Sequence, residues 1–237
     1  MQESGWGKRR MRYQRSYRYV FSSPLWMTNL LAGTACFLVP LVGWSAFLGY
    51  AVELVDTLHH RKDSEYPSFD VNRLGQYMVR GLGPMIVLLL GLLPVLLLYL
   101  VSGVIGAQGG AGQNSIKLLV LLWWLASGLL GLLLTLLLLP LSLYIGLRQE
   151  VTLTDCRQFL VDFLKRVWQE LLLAQVFVTV TGVSLIVLGV LPCGLGVGPA
   201  AALAGFSQYH LLGQLYRLYL ERGGLVIPFK TEEPIPI

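Results

Sequence analysis

The chain has 237 residues, 55% of them hydrophobic and 13% charged, with a formal net charge of +5. An ordinary soluble domain carries about 25% charged residues, so the composition excludes that class. Three runs contain no charged residue: 82–105, 118–147 and 171–216. A bilayer crossing needs about 20 apolar residues, so the first two runs each predict one membrane helix and the third predicts two. The sequence therefore predicts an all-α integral membrane protein.

Residues 1–22 form a basic and aromatic cytoplasmic arm that contains the run KRRMRYQRSYRY. No cleavable signal peptide is expected, because this start is not followed by a short apolar run ending in an A-x-A-like site. Such arms beside a membrane segment typically contact anionic lipid headgroups, and we expect this partner rather than nucleic acid. A protein partner is the alternative.

The first apolar stretch, 24–58, is interrupted at Pro40, and Ser23-Pro24 before it is typical of a helix start. A single helix of this length would measure roughly 52 Å. A break at Pro40 would instead give a hairpin of two short helices, 24–39 and 41–58.

The charge distribution favours the hairpin. With it, every basic residue except Lys117 lies on one side of the membrane, as the positive-inside rule requires of a cytoplasmic side. A single helix would place the arm on the opposite side. We therefore predict a bundle of about six membrane segments with both termini in the cytoplasm. The two short segments can be re-entrant if other protein shields the break.

At three helix exits, a glycine is followed four residues later by a charged residue. They run from Gly49 to Glu53, from Gly146 to Glu150 and from Gly213 to Arg217. This internal pseudo-repeat supports the predicted layout.

An amphipathic segment follows each of the first two exits, and we expect both to lie in the cytoplasmic interface with their polar faces in water. Asp70 can cap the first, whose apolar face comprises Val71, Leu74, Met78 and Leu82. Thr152 or Asp155 can cap the second in an approximate capping box, and its apolar face comprises Cys156, Phe159, Leu160, Phe163, Leu164 and Val167. Each segment then turns into a membrane helix.

The stretch from Arg15 to Leu82 carries Ser-Pro-x-Trp at 23–26, Leu-Gly-Tyr ending at Tyr50, and Tyr-Pro-x-Phe-Asp at 66–70. It resembles the polytopic family catalogued as domain of unknown function 4013, found in bacteria and archaea. The resemblance is clear over about the first 105 residues and looser to about residue 222. It implies a prokaryotic cytoplasmic or internal membrane and brings no activity and no catalytic residues with it.

Glu53, Asp56, His59 and His60 end the second helix of the hairpin. Carboxylates and imidazoles can bind a divalent metal, but one helix supplies too few ligands for a specific site. We interpret the group as a helix leaving lipid or as part of a structural ion pair. Alignment of LGYAVEL with LGQLYRL places Glu53 opposite Arg217, so we predict that these side chains approach each other directly or through water.

The last helix carries a polar stripe at spacings of three and four residues: Ser207, His210, Gln214, Arg217 and Glu221. In a lipid-surrounded helix such a stripe should face protein or a wet cavity. It can serve interhelical packing or, with His210 titrating near neutral pH, a transport pathway.

Small residues predict close helix packing at two places: Ser127, Gly131 and Thr135, and the pair Ala201 and Gly205. They can pack within the bundle or bind another subunit. The run Gly106–Gly112 lacks the Lys-Ser/Thr pair of a phosphate loop and is interpreted as a flexible linker.

The residue pattern contains no recognisable active site. Cys36, Cys156 and Cys193 are scattered and indicate neither a disulfide framework nor a thiolate metal site, and no cofactor is predicted. We predict a single membrane domain at 23–222, a tail at 223–237, and a non-catalytic structural or accessory subunit that binds itself or other membrane subunits. A small-solute or lipid transporter is the alternative. A lipid-modifying membrane enzyme is the third.

Overall fold

The structure is a computed structural model that describes residues 11–60, 66–108, 114–149 and 152–228. The helices in these ranges are α1 (Tyr13–Val20), α2 (Trp26–Leu38), α3 (Val42–His60), α4 (Leu74–Gln108), α5 (Asn114–Arg148), α6 (Leu153–Val190) and α7 (Val197–Glu221). A one-turn 3-10 helix, Val71–Arg73, directly precedes α4. The described chain contains no strand, so the predicted all-α class is confirmed.

Three helical segments are long and apolar enough to cross a membrane: Val71–Ile105, Leu118–Arg148 and Leu153–Val190. The helix α2 is apolar but shorter. The fold is thus an all-α arrangement with three candidate membrane-spanning helices. The count of six membrane segments stays a prediction.

The predicted break at Pro40 is present. The helix α2 ends at Leu38 and α3 begins at Val42, and Leu41 between them has a positive φ of 62°. The rings of Phe37 and Phe47 meet across the turn with centroids 4.9 Å apart. The two helices therefore fold back on each other as a hairpin rather than continuing as one long helix.

The predicted caps formed only in part. The Asp70 carboxylate accepts a hydrogen bond from the Asn72 amide at 2.9 Å and caps the 3-10 helix, as predicted. The Ser23 hydroxyl accepts from the Leu25 amide, but α2 begins only at Trp26.

The capping box predicted at the start of α6 does not form. Thr152 precedes the helix, but its side chain makes no cap hydrogen bond. The Asp155 carboxylate pairs instead with the Arg148 guanidinium at 2.5 Å. A hydrogen bond between two charged groups is stronger than one to a neutral backbone amide, so the ion pair is the better use of this carboxylate.

The helix α7 is the centre of the bundle and packs against α1, α2, α3 and α6. Its largest side chains, among them Phe206, Tyr216 and Tyr219, are fully buried. Where α7 crosses α3, a Cβ added at Gly205 would lie 2.6 Å from Cζ of Phe47. The helices α6 and α7 run antiparallel and are joined by a tight turn at residues 191–196.

The helices α3 and α4 cross with their backbones in contact. A Cβ added at Gly49 would lie 1.9 Å from the Tyr77 carbonyl oxygen, and one added at Gly81 would lie 1.8 Å from the Ser45 carbonyl oxygen. Only glycine permits this approach, because the neighbouring atoms belong to the backbone and cannot move aside.

Beyond this crossing, α4 and α5 continue as an antiparallel pair. Since Gly81 lies beside Ser45, residue 85 of α4 is level with the α2–α3 turn, and residues 86–108 rise about 34 Å past it. We call residues 86–108 of α4 and residues 114–137 of α5 the outer hairpin. Its leucines are largely exposed, and Trp124 Nε1 donates to Ser102 Oγ at 2.7 Å between the helices.

The amphipathic segment after Asp70 differs from its prediction. It is continuous with α4, and its polar side chains Arg73 and Arg80 bind α3 rather than water. Of its predicted apolar face, Leu74 and Met78 pack against the core, whereas Val71 and Leu82 are exposed. The prediction that the polar face meets water therefore holds for Asn72 but not for Arg80, because a carboxylate on α3 supplies a partner that the local pattern does not contain.

The second amphipathic segment agrees with its predicted apolar face. Cys156, Phe159, Phe163 and Val167 are buried, and Phe159 stacks on Tyr144 with centroids 4.8 Å apart. The segment is the first part of α6, which bends at Val167, where φ is −136° and ψ is 20°.

Candidate functional site

The charged side chains collect at one end of the bundle, where α3, α5 and α7 end and α4 and α6 begin. Every lysine and arginine whose side chain the structure describes lies on these segments or on the adjoining α1: Arg12, Arg15, Arg18, Arg73, Arg80, Arg148, Arg157, Lys165, Arg166, Arg217 and Arg222. We call this the charged end. The outer hairpin and the turns at 39–41 and 191–196 lie away from it.

The acidic residues of α3 form ion pairs with the start of α4. Glu53 binds Arg73 at 2.7 Å, and Asp56 binds Arg80 at 3.0 Å. The Arg80 side chain is only 8% exposed. Of the interpretations offered for this group, a structural ion pair describes both carboxylates, although with partners that spacing did not indicate. The approach of Glu53 to Arg217 stays a prediction.

The histidines of this group are placed only in part. The His59 ring lies against Tyr216 with centroids 5.5 Å apart, whereas the structure describes only the backbone of His60. Within the described ranges, no group of three or more histidine, cysteine or acidic residues is close enough to hold a metal ion.

The Tyr-Pro-x-Phe-Asp motif is folded into the bundle beside α2 and α3. The Asn29 side chain accepts from the Phe69 amide at 2.8 Å and donates to the Pro67 carbonyl at 3.4 Å, and the Tyr50 hydroxyl donates to the same carbonyl at 2.7 Å. Burial raises the pKa of Tyr66, so its phenol is neutral at physiological pH. The motif therefore positions the start of α4 against α3.

The polar stripe of α7 faces a cavity of about 350 Å³ between α7 and α1. His210, Gln214, Arg217 and Glu221 line it. Ser207 is fully buried and is not part of its wall. The structure thus brings four of the five predicted stripe residues together around one space, at the charged end.

The opposite wall was not predicted. It comprises Met11, Arg12 and Arg15 from the arm and Leu58 from α3. The spacing of Arg12, Arg15 and Arg18 at three residues places these cations along one side of a helix, which is the sequence signal that could have shown the arm to be helical. The partner of that helix, α7, is about 200 residues away in the chain and leaves no local signal.

The arm is held against α6 and α7 by specific contacts. The Arg12 amide donates to Gln214 Oε1 at 3.0 Å, and Gln214 Nε2 donates to the Arg12 carbonyl at 3.4 Å. The Tyr17 and Thr181 hydroxyls are 2.6 Å apart, and the Tyr19 ring lies 4.5 Å from the His210 ring. Residues 13–20 are therefore a folded part of the bundle, and contact of the arm with lipid headgroups stays a prediction.

A second group of polar contacts joins α6, α7 and the tail. Asp162 pairs with Arg166 at 2.9 Å and accepts from the Tyr219 hydroxyl at 2.7 Å, and Arg222 pairs with Glu170. The tail folds back onto α7 because the Ile227 amide donates to the Tyr216 hydroxyl at 2.9 Å. The start of the tail is thus anchored to α7 by Ile227, which is buried, whereas Leu225 and Val226 are exposed.

The small residues lie at helix contacts within the chain. Gly131 faces Val95 of α4, and Gly205 faces Phe47 of α3. The Ser127 and Thr135 hydroxyls donate to carbonyls of their own helix, those of Trp123 and Leu132, and Ala201 is half-buried.

The glycine-rich run and the three cysteines complete the comparison with the sequence. Residues 106–108 of the glycine-rich run belong to α4, so the predicted linker begins later than expected, and residues 109–112 lie outside the described ranges. Cys36 and Cys156 are buried thiols, and Cys193 is exposed.

The architecture defines the class: an all-α protein with three candidate membrane-spanning helices and a polar cavity at its charged end. The chain belongs to the DUF4013 family, described as a protein of unknown function, whose pattern matches residues 32–194. This confirms the resemblance noted from the sequence. Neither a curated protein nor a solved structure matches the chain.

Proposed function

We propose that this chain is a non-catalytic membrane protein that acts as a structural or accessory subunit and presents its charged end to the cytoplasm. The observation that carries the proposal is the separation of surfaces. The charged side chains that the structure describes gather at one end, whereas the outer hairpin exposes leucine. Transfer of arginine or lysine across the bilayer is costly, so the charged end belongs on the cytoplasmic side.

The proposal includes a specific depth in the membrane. The outer hairpin rises about 34 Å, which matches a hydrocarbon core of about 30 Å. Since Gly205 of α7 contacts Phe47 of α3, the α6–α7 turn is roughly level with the α2–α3 turn, and both stop where the outer hairpin begins. In this arrangement α4 and α5 cross the bilayer. The two turns do not pass beyond the leaflet nearest the charged end, which we call the proximal leaflet, so α6 does not cross, although its length and composition would allow it.

Spin labels test this depth. One variant keeps Cys193 of the α6–α7 turn and replaces Cys36 and Cys156 by alanine; the second replaces all three cysteines and carries Val104→Cys near the end of α4. Relative accessibility to oxygen and to a water-soluble nickel complex should place the Cys193 label in the proximal leaflet and the residue-104 label near the distal surface. Equal depths at the distal surface would contradict the proposal.

Photo-crosslinking tests the accessory role. A photoreactive amino acid at Arg157, which is exposed on α6, should give one discrete protein adduct in cells that express the chain. The matched control is the same group at Leu90, which is exposed on the outer hairpin and should meet lipid. The absence of any protein adduct at Arg157, together with a chain that purifies alone from native lipid, would overturn the role.

Transport is the second candidate function, and the cavity that reaches His210 favours it. A carrier built around this cavity would move a solute across liposomes that contain the purified chain, and His210→Ala would abolish that flux. An accessory subunit would give no flux with either chain.

A further inference from the structure

The cavity between α1 and α7 has the size of a small-molecule site. Its volume of about 350 Å³ lies at the lower end of the range of about 300–1,000 Å³ that ligand pockets occupy. Its walls come from parts of the chain that are far apart in sequence, namely the arm, α3 and α7.

The lining carries an excess of positive charge. Arg12, Arg15 and Arg217 contribute three guanidinium groups, and Glu221 contributes the single carboxylate among the described lining residues. Guanidinium groups present paired donors that match the oxygens of a phosphate, and they bind it through two parallel hydrogen bonds. A phosphate monoester carries about −1.5 to −2 charges at pH 7, close to the excess of two in this lining.

The segment that carries Arg12 and Arg15 is held against the bundle before any ligand binds. The paired bonds between the Arg12 backbone and the Gln214 amide attach the start of α1 to α7, and the Tyr17 contact with Thr181 attaches its middle to α6. A site whose backbone is already ordered loses less entropy on binding.

We propose that this cavity binds a phosphate group, carried either by the headgroup of a phospholipid or by a small soluble molecule. The apolar residues Met11, Leu58 and Leu218 line the same space and suit the carbon part of such a ligand. The proposal does not depend on the accessory role, because binding requires only this chain.

The test uses the full chain in phosphatidylcholine nanodiscs with two probes, radiolabelled inorganic phosphate and dioctanoyl phosphatidate. At least one should bind saturably, and dioctanoyl phosphatidylcholine should not compete with it. Arg15→Gln and Arg217→Gln should each raise the Kd by about tenfold, since each removes a charge-assisted hydrogen bond. Arg157→Gln removes an exposed arginine outside the cavity and should leave the Kd unchanged.

Glu221→Gln should change the Kd in the opposite direction. It removes the lining carboxylate, so the Kd should fall by about threefold through reduced repulsion. This variant decides the matter if the arginine variants do not fold.

The two probes identify the source of the phosphate. Binding of phosphatidate alone assigns a lipid headgroup, and binding of inorganic phosphate, alone or in competition with phosphatidate, assigns a site that a soluble ligand can enter. Saturable binding of neither probe would overturn the proposal. An equal loss of affinity in Arg157→Gln, or weaker binding in Glu221→Gln, would overturn it as well.

Discussion

The helices of the charged end and the outer hairpin both contain leucine but pack it in different ways. Leu211 in α7 is completely buried, whereas Leu90 in the outer hairpin is 66% exposed. Moving a leucine side chain from lipid into a helix contact lowers the free energy little, because the acyl chains are as apolar as the side chain. Helices therefore come together where small residues, aromatic rings and ion pairs permit specific contacts, and leucine remains at the outside.

The largest expected loss of stability follows substitution of a glycine in α4 where it touches α3. Gly81→Ala should destabilise the fold by more than about 3 kcal/mol, because the new methyl group would overlap the Ser45 carbonyl oxygen. Gly103→Ala is the control, since nothing lies within 4 Å of a Cβ there. Unfolding by SDS titration in mixed micelles measures both. Similar unfolding midpoints would mean that α3 and α4 do not touch as described.

A matched pair of leucines tests the packing difference directly. Leu211→Ala should cost about 2.5 kcal/mol through lost contacts and a residual cavity. Leu90→Ala should change the free energy of unfolding by less than about 0.5 kcal/mol, since lipid replaces the lost side chain. The same SDS titration compares the two. A large loss in Leu90→Ala would show that the outer hairpin is covered by protein.

The ion pair at the α3–α4 contact should have a smaller effect. Arg80→Met leaves the Asp56 carboxylate without this partner, and we expect a loss of about 2 kcal/mol because Asp56 is still partly exposed. Arg157→Met removes an exposed arginine and should be close to neutral. If Arg80→Met and Arg157→Met unfold at the same SDS concentration, the pair contributes nothing to the charged end.

The elements that could be predicted are those with a local cause. The break at Pro40 follows from the missing backbone donor of proline, and the buried face of α6 from Phe159 to Val167 follows from helical periodicity. The polar stripe was also visible in the sequence, because its residues recur every three or four positions. What it faces was left open between packing and a cavity.

The elements that could not be predicted depend on distant partners. The sequence shows that Glu53 and Arg73 carry opposite charges. It could not show that the 3-10 helix places the Arg73 guanidinium 2.7 Å from the Glu53 carboxylate. Likewise, the role of Asn29 in holding the Tyr-Pro-x-Phe-Asp motif requires that α2 lie beside residues 67–69. The contacts of residues 13–20 with α6 and α7 also join segments far apart in the chain, and no local pattern indicated them.

The amino-acid sequence by itself determined the all-α class, the long apolar helices and the gathering of the described basic side chains at one end of the bundle, because each depends on the cost of placing charge or unpaired backbone in lipid. The tertiary structure alone decided which carboxylate meets which arginine, how far α4 and α5 extend past the other helices, and that the arm closes a cavity against α7. These outcomes depend on close approach between segments far apart in the chain, and a local sequence pattern does not indicate which distant segments will meet.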